Sequence, residues 1–110
     1  MAMANTEHKY DSIADELAER PNVERAKMFG MPVVKVNGNA FMGYFKHSMT
    51  FKLTGTAHAN ALKLKGARLF DPSGMGRPMK EWVQIPVTHA GKWKTFAQHA
   101  LKYGSKLPAK

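Results

Sequence analysis

The stretch Met31-Pro32-Val33-Val34-Lys35-Val36-Asn37-Gly38-Asn39-Ala40-Phe41-Met42-Gly43-Tyr44-Phe45-Lys46-His47-Ser48-Met49-Thr50-Phe51-Lys52-Leu53 decides the fold. It opens on a β-branched run and reaches Asn37-Gly38, a pair suited to a type I′ hairpin turn with φ > 0 at both central residues. Ala40 to Phe45 reads as the return strand, and Lys46-His47-Ser48 as a second turn. Met49 to Leu53 then alternates, which directs Met49, Phe51 and Leu53 to the core and Thr50 and Lys52 outside. Three antiparallel strands in a meander over residues 32–54 follow. Pro32 has no N–H to donate, so it belongs at a strand start or an edge.

Helices flank this meander. Over residues 6–20, Tyr10, Ile13, Ala14, Leu17 and Ala18 recur at helical spacing, with Asn5 or Thr6 as caps and Pro21 as the stop. A shorter helix is predicted over 56–65, capped by Thr54 or Thr56, burying Ala57, Ala61, Leu62 and Leu64, and stopped by Gly66. Ala67 to Phe70 and Met79 to Ile85 read as strands joined by the loop Asp71 to Pro78. The last helix, 88–103, places Trp93, Phe96, Ala97, Ala100, Leu101 and Gly104 on one face. The order α-β-β-β-α-β-β-α predicts an α+β domain of two layers, an antiparallel sheet with helices on one face. Residues 1–110 suit a single domain, with 1–5 and 105–110 frayed.

Composition narrows the function classes. The chain has no cysteine, which excludes disulfides, thiol nucleophiles and thiolate zinc sites. No apolar stretch is long enough to span a bilayer, and the N-terminus lacks the pattern of a signal peptide, so no membrane partner and a cytoplasmic location are expected. The formal charge is +9, unevenly placed. Residues 1–25 hold Glu7, Asp11, Asp15, Glu16, Glu19 and Glu24 against Lys9, Arg20 and Arg25, whereas beyond them only Asp71 and Glu81 face 14 bases. An acidic first helix thus precedes a strongly basic remainder, which raises the local concentration of polyanions.

Chemistry of the catalytic kind finds little support. His47 falls in a turn, His58 in the short helix, and His89 and His99 on the last helix, with no pair at the spacing that converges ligands. His89 and His99 would lie about 15 Å apart along a helix. Asp71, before Pro72, suits a turn, and Glu81 a charged strand position. Gly74-Met75-Gly76-Arg77-Pro78 lacks the Gly-Lys-Ser/Thr ending and the following helix of a phosphate loop. A non-enzymatic protein without catalytic residues, cofactor or metal is therefore expected. The binding candidates are Lys63, Lys65, Arg68, Arg77, Lys80, Lys92 and Lys94, interleaved with Trp82 and Trp93. Backbone contacts from such cations and stacking on aromatics would suit nucleic acid, although Trp93 sits on the core stripe of its helix.

Arg25-Ala26-Lys27-Met28-Phe29-Gly30, the hairpin with Gly38 before Phe41, and Phe51-Lys52-Leu53 resemble the N-terminal domain of the TfoX/Sxy family. Gly66-Ala67-Arg68-Leu69-Phe70, the Gly/Pro loop and Glu81-Trp82-Val83-Gln84-Ile85-Pro86 continue the likeness, and the related YjbR-like domains share the layout. The family usually has a second glycine after Met-Phe-Gly, where Met31-Pro32 follows here. The resemblance implies a small regulator linked to bacterial competence, acting through a protein partner at transcription complexes. Direct, largely non-specific DNA binding through the basic set is the alternative it allows. An open strand edge leaves room for a homodimer.

Overall fold

The structure, a computed structural model, describes residues 2–28, 30–71, 76 and 79–109, with residues 2–6 described by their backbone alone. The elements in chain order are α1 (Ala2–Ala18), β1 (Val23–Met28), β2 (Met31–Val36), β3 (Asn39–Phe45), β4 (Ser48–Lys52), α2 (Gly55–Leu62), β5 (Arg68–Phe70), β6 (Met79–Pro86) and α3 (Ala90–Ser105), the last preceded by a 3₁₀ turn at Val87–His89. Among the described residues six strands form one sheet in the order β1-β2-β3-β4-β6-β5, every neighbouring pair antiparallel. The expected α+β class and the meander hold.

The meander gains one strand. Val23-Glu24-Arg25-Ala26-Lys27-Met28, which the sequence pattern assigns to no element, forms edge strand β1 against β2. An edge strand is paired on one side only, so it tolerates charges that would disguise it in a hydropathy pattern and that discourage edge-to-edge association. Asn22, at φ 65°, makes the reversal into it, and the Asn22 carbonyl accepts the Asn37 N–H at 2.9 Å. The sheet's edges are therefore β1 and β5, and Pro32 lies one residue into the interior strand β2.

All three helices pack on the same face. α3 lies over β3 and β4, α1 over β1 and β3, and α2 over β6. The α3 stripe Trp93, Phe96, Ala97, Ala100, Leu101 and Gly104 is buried throughout. Trp93 Nε1 donates to the Ile85 carbonyl at 3.2 Å, which fixes the helix on the end of β6. Gly104 lets α3 approach the sheet closely, since a Cβ there would stand 2.9 Å from Val36 Cγ1. Beyond α3, Asn39 Nδ2 donates to the Pro108 carbonyl at 2.9 Å. At the other end, the backbone of residues 2–5 is already helical.

Two side chains depart from expectation. Leu62 is exposed, because the two-turn α2 buries Ala61 and half-buries Ala57, leaving position 62 off the stripe. Thr50 is buried, not outside. Strand alternation places it on the helix-free face, where Met31, Val33, Phe70 and Trp82 form a second apolar cluster. Among the described residues no helix is long and apolar enough to cross a membrane.

Candidate binding surface

The basic residues divide between two places. Lys63 caps the C-terminus of α2, Lys65 follows it, and Arg68 begins β5 opposite Gln84. His89 donates through Nε2 to the Lys65 carbonyl at 2.8 Å, which holds this corner against the start of α3, where Lys92 lies one turn further on. Lys80 sits four residues before Gln84 on β6, roughly 13 Å along the strand from Arg68 at about 3.3 Å per residue. His58 Nε2 donates to its carbonyl at 2.8 Å. Lys63, Lys65, Arg68, Lys80 and Lys92 are exposed and make no ion pair among the described residues. Lys94 points elsewhere, to Glu16 Oε2 of α1 at 3.0 Å. Arg77 lies outside the described residues.

The aromatic partners fall away. Trp82 is 6% exposed and packed against Met31, Val33 and Phe70, and Trp93 is fully buried. Neither indole offers a face for base stacking, so the cations carry any nucleic-acid contact alone.

Several acids and histidines have structural duties. Asp11 and Asp15 accept from Arg25 Nη2 and Nη1 at 2.6 and 2.7 Å, pinning α1 to β1. Hydrogen bonding to Asp15 raises the Arg25 pKa, partial desolvation opposes it, and Asp11 adds to the rise. Part of the acidic face of α1 is thereby paired with β1 while it stays solvent-exposed. Glu81 Oε2 accepts from the Tyr103 hydroxyl at 2.5 Å, which raises the tyrosine pKa, while Lys52 Nζ stands 3.9 Å from Oε1. Asp71 Oδ2 accepts the Gly76 N–H at 2.9 Å, a loop-closing bond. His47 Nδ1 lies 3.3 Å from the Tyr44 hydroxyl in the β3–β4 turn. Among the described residues no three His, Asp or Glu side chains gather at metal-binding distance.

A second basic region is assembled by the fold. An open groove of about 720 Å³ runs between the end of α1 and the C-terminal half of α3. Its floor is Val23, Val36 and Leu101, and its cations are Arg20, Lys102 and Lys106. Lys102 and Lys106, one helical turn apart, also line a neighbouring groove of about 840 Å³ with His99, Thr54, Asn60 and Tyr103. Among the described residues no acidic side chain lines either groove. The sequence signal was the i, i+4 pair of Lys102 on α3 and Lys106 at its C-cap. Arg20, grouped by sequence with the acidic N-terminal block, joins it only through the fold.

Comparison of the chain with protein-family models, with curated proteins and with solved structures finds no match.

Proposed function

We propose that the protein is a small non-enzymatic regulatory or adaptor module, similar in role to TfoX/Sxy N-terminal domains, that works through protein contacts at transcription complexes in the cytoplasm. The separation of charge supports this reading. Acids at 11, 15 and 16 are engaged with Arg25 and Lys94, whereas cations on both basic regions remain without acidic partners among the described residues. A scaffold that pairs several of its acids internally and leaves most of its bases free is suited to an acidic partner.

A second reading is direct nucleic-acid contact through Lys63, Lys65, Arg68, Lys80 and Lys92. Their shared exposure and lack of ion pairs favour it, and the burial of both tryptophans weighs against it. Fluorescence anisotropy of labelled duplex and single-stranded DNA over a salt series separates the two. Four phosphate contacts on duplex DNA, from Lys63, Lys65, Arg68 and Lys80, would give a slope of about −3.6 in log K against log salt. The adaptor reading expects only weak, salt-sensitive binding or none. Binding that persists at physiological salt and prefers one sequence would refute it.

A further inference from the structure

We infer that the groove between α1 and α3 is the docking site for an acidic segment of a partner protein that carries bulky apolar side chains. This inference rests on the adaptor reading and names the partner's chemistry.

The groove combines two properties. Val23, Val36 and Leu101 give it an apolar floor drawn from β1, β2 and α3. These side chains belong to the main core and are 4–8% exposed, so most of the apolar surface open to an occupant comes from exposed Pro21 and the methylene stems of the flanking Arg20, Lys102 and Lys106. Above it, Arg20 stands at the end of α1, while Gln98, Lys102, Ser105 and Lys106 form a stripe along α3 at helical spacing. Arg20, Lys102 and Lys106 are exposed and have no acidic partner among the described residues.

That distribution selects the occupant. Cations from two separate elements flank an apolar centre, so the complementary ligand carries negative charge on both sides of an apolar body. A fatty carboxylate has its charge at one end only. A nucleic-acid backbone has the charge but places no aliphatic group on the floor. A peptide with leucine or tryptophan between aspartates and glutamates satisfies both demands, and a volume of about 720 Å³ admits such anchor side chains. Apolar anchors would supply contact in the desolvated centre, and the flanking charges would set register and association rate.

The probe is a fluorescein-labelled peptide with a Leu-Trp-Leu centre between two Asp/Glu triplets, titrated by anisotropy at 150 mM salt. A second peptide has serines at the three central positions. Lys102→Glu/Lys106→Glu should weaken binding of the first peptide at least tenfold, and Gln98→Glu, a milder change on the same wall, about threefold. The serine peptide should bind the native chain at least tenfold more weakly. Lys9→Glu/Lys27→Glu, an equal charge change at exposed positions outside the groove, should alter affinity less than twofold, with circular dichroism confirming that each variant is folded. Equal binding of both peptides, or equal loss in the Lys9/Lys27 variant, would reduce the interaction to net charge and overturn the proposal. No binding up to millimolar peptide would overturn it as well, while leaving the adaptor reading intact. Sequence-selective DNA binding by the native chain under the same conditions is the separate result that defeats the adaptor reading.

Discussion

Gly91 and Gly104 lie on the same helix, and the same substitution should have opposite effects at the two positions. Alanine in place of glycine within a helix contributes up to about 1 kcal/mol through reduced backbone entropy in the unfolded chain. At Gly91, near the start of α3, no atom lies within 4 Å of a built Cβ, so the gain should be felt nearly alone, at about 0.5 kcal/mol. At Gly104 the Cβ would sit 2.9 Å from Val36 Cγ1 and 3.3 Å from Phe41 Cβ. Neither neighbour yields easily. Val36 is β-branched and held within β2, and the Phe41 atom is attached directly to the backbone of β3. Overpacking of this kind costs about 1–3 kcal/mol, which exceeds the propensity gain. Gly104→Ala should therefore destabilise by about 1 kcal/mol, and the two variants should differ by roughly 1.5 kcal/mol. Urea unfolding followed by tryptophan fluorescence, with a common m-value, measures the difference. A Gly104→Ala midpoint equal to or above that of Gly91→Ala would refute the close approach of α3 to β2 and β3.

The β3–β4 turn places Lys46 and His47 at φ 48° and 63°, the conformation that Asn37-Gly38 adopts in the β2–β3 turn at 52° and 82°. Lys46→Asn/His47→Gly should raise stability by about 1 kcal/mol, because left-handed backbone costs ordinary side chains more than Asn and Gly. Chemical denaturation would show a lower midpoint if the turn were of another type. Tyr10 is fully buried with no hydrogen-bond partner for its hydroxyl among the described residues, and burial raises its pKa above the ordinary value near 10. Its proton is held more tightly in the folded chain, so the associated stability is complete below about pH 10 and is lost as pH rises through the folded value. Tyr10→Phe should leave neutral-pH stability unchanged or higher by about 1 kcal/mol and flatten the alkaline decline. A large loss at pH 7 would contradict the orphaned hydroxyl. Arg25→Ala breaks both contacts to α1 and should cost about 1 kcal/mol at low ionic strength, given a guanidinium about one-third exposed. In 1 M salt the difference from the native chain should shrink, and a salt-independent loss would point to packing alone.

The parts of the fold legible in sequence are those where one residue pattern has one physical outcome. Asn37-Gly38 has the two positive φ angles its identity demands, and the six-residue stripe of α3 is buried in full. β1 was not legible, because an edge strand satisfies one partner and leaves Glu24, Arg25 and Lys27 to solvent. Thr50 shows a different gap: a period of two assigns a side chain to a face but does not say whether that face is covered. For the binding surface, the exposed cations near β5 were readable from composition. The burial of Trp82 and the meeting of Arg20 with Lys102 and Lys106 depend on contacts between segments distant in sequence.

The central functional claim is that this basic scaffold engages an acidic protein segment in preference to nucleic acid. Amide chemical-shift mapping of the ¹⁵N-labelled chain at physiological salt, with the Leu-Trp-Leu acidic peptide and then with duplex DNA, tests it most directly. The account predicts peptide-induced shifts concentrated at residues 20–23, 36 and 98–106, with little response to DNA. Saturable DNA-induced shifts over residues 63–68 and at Lys80, with no localised response to the peptide, would contradict it.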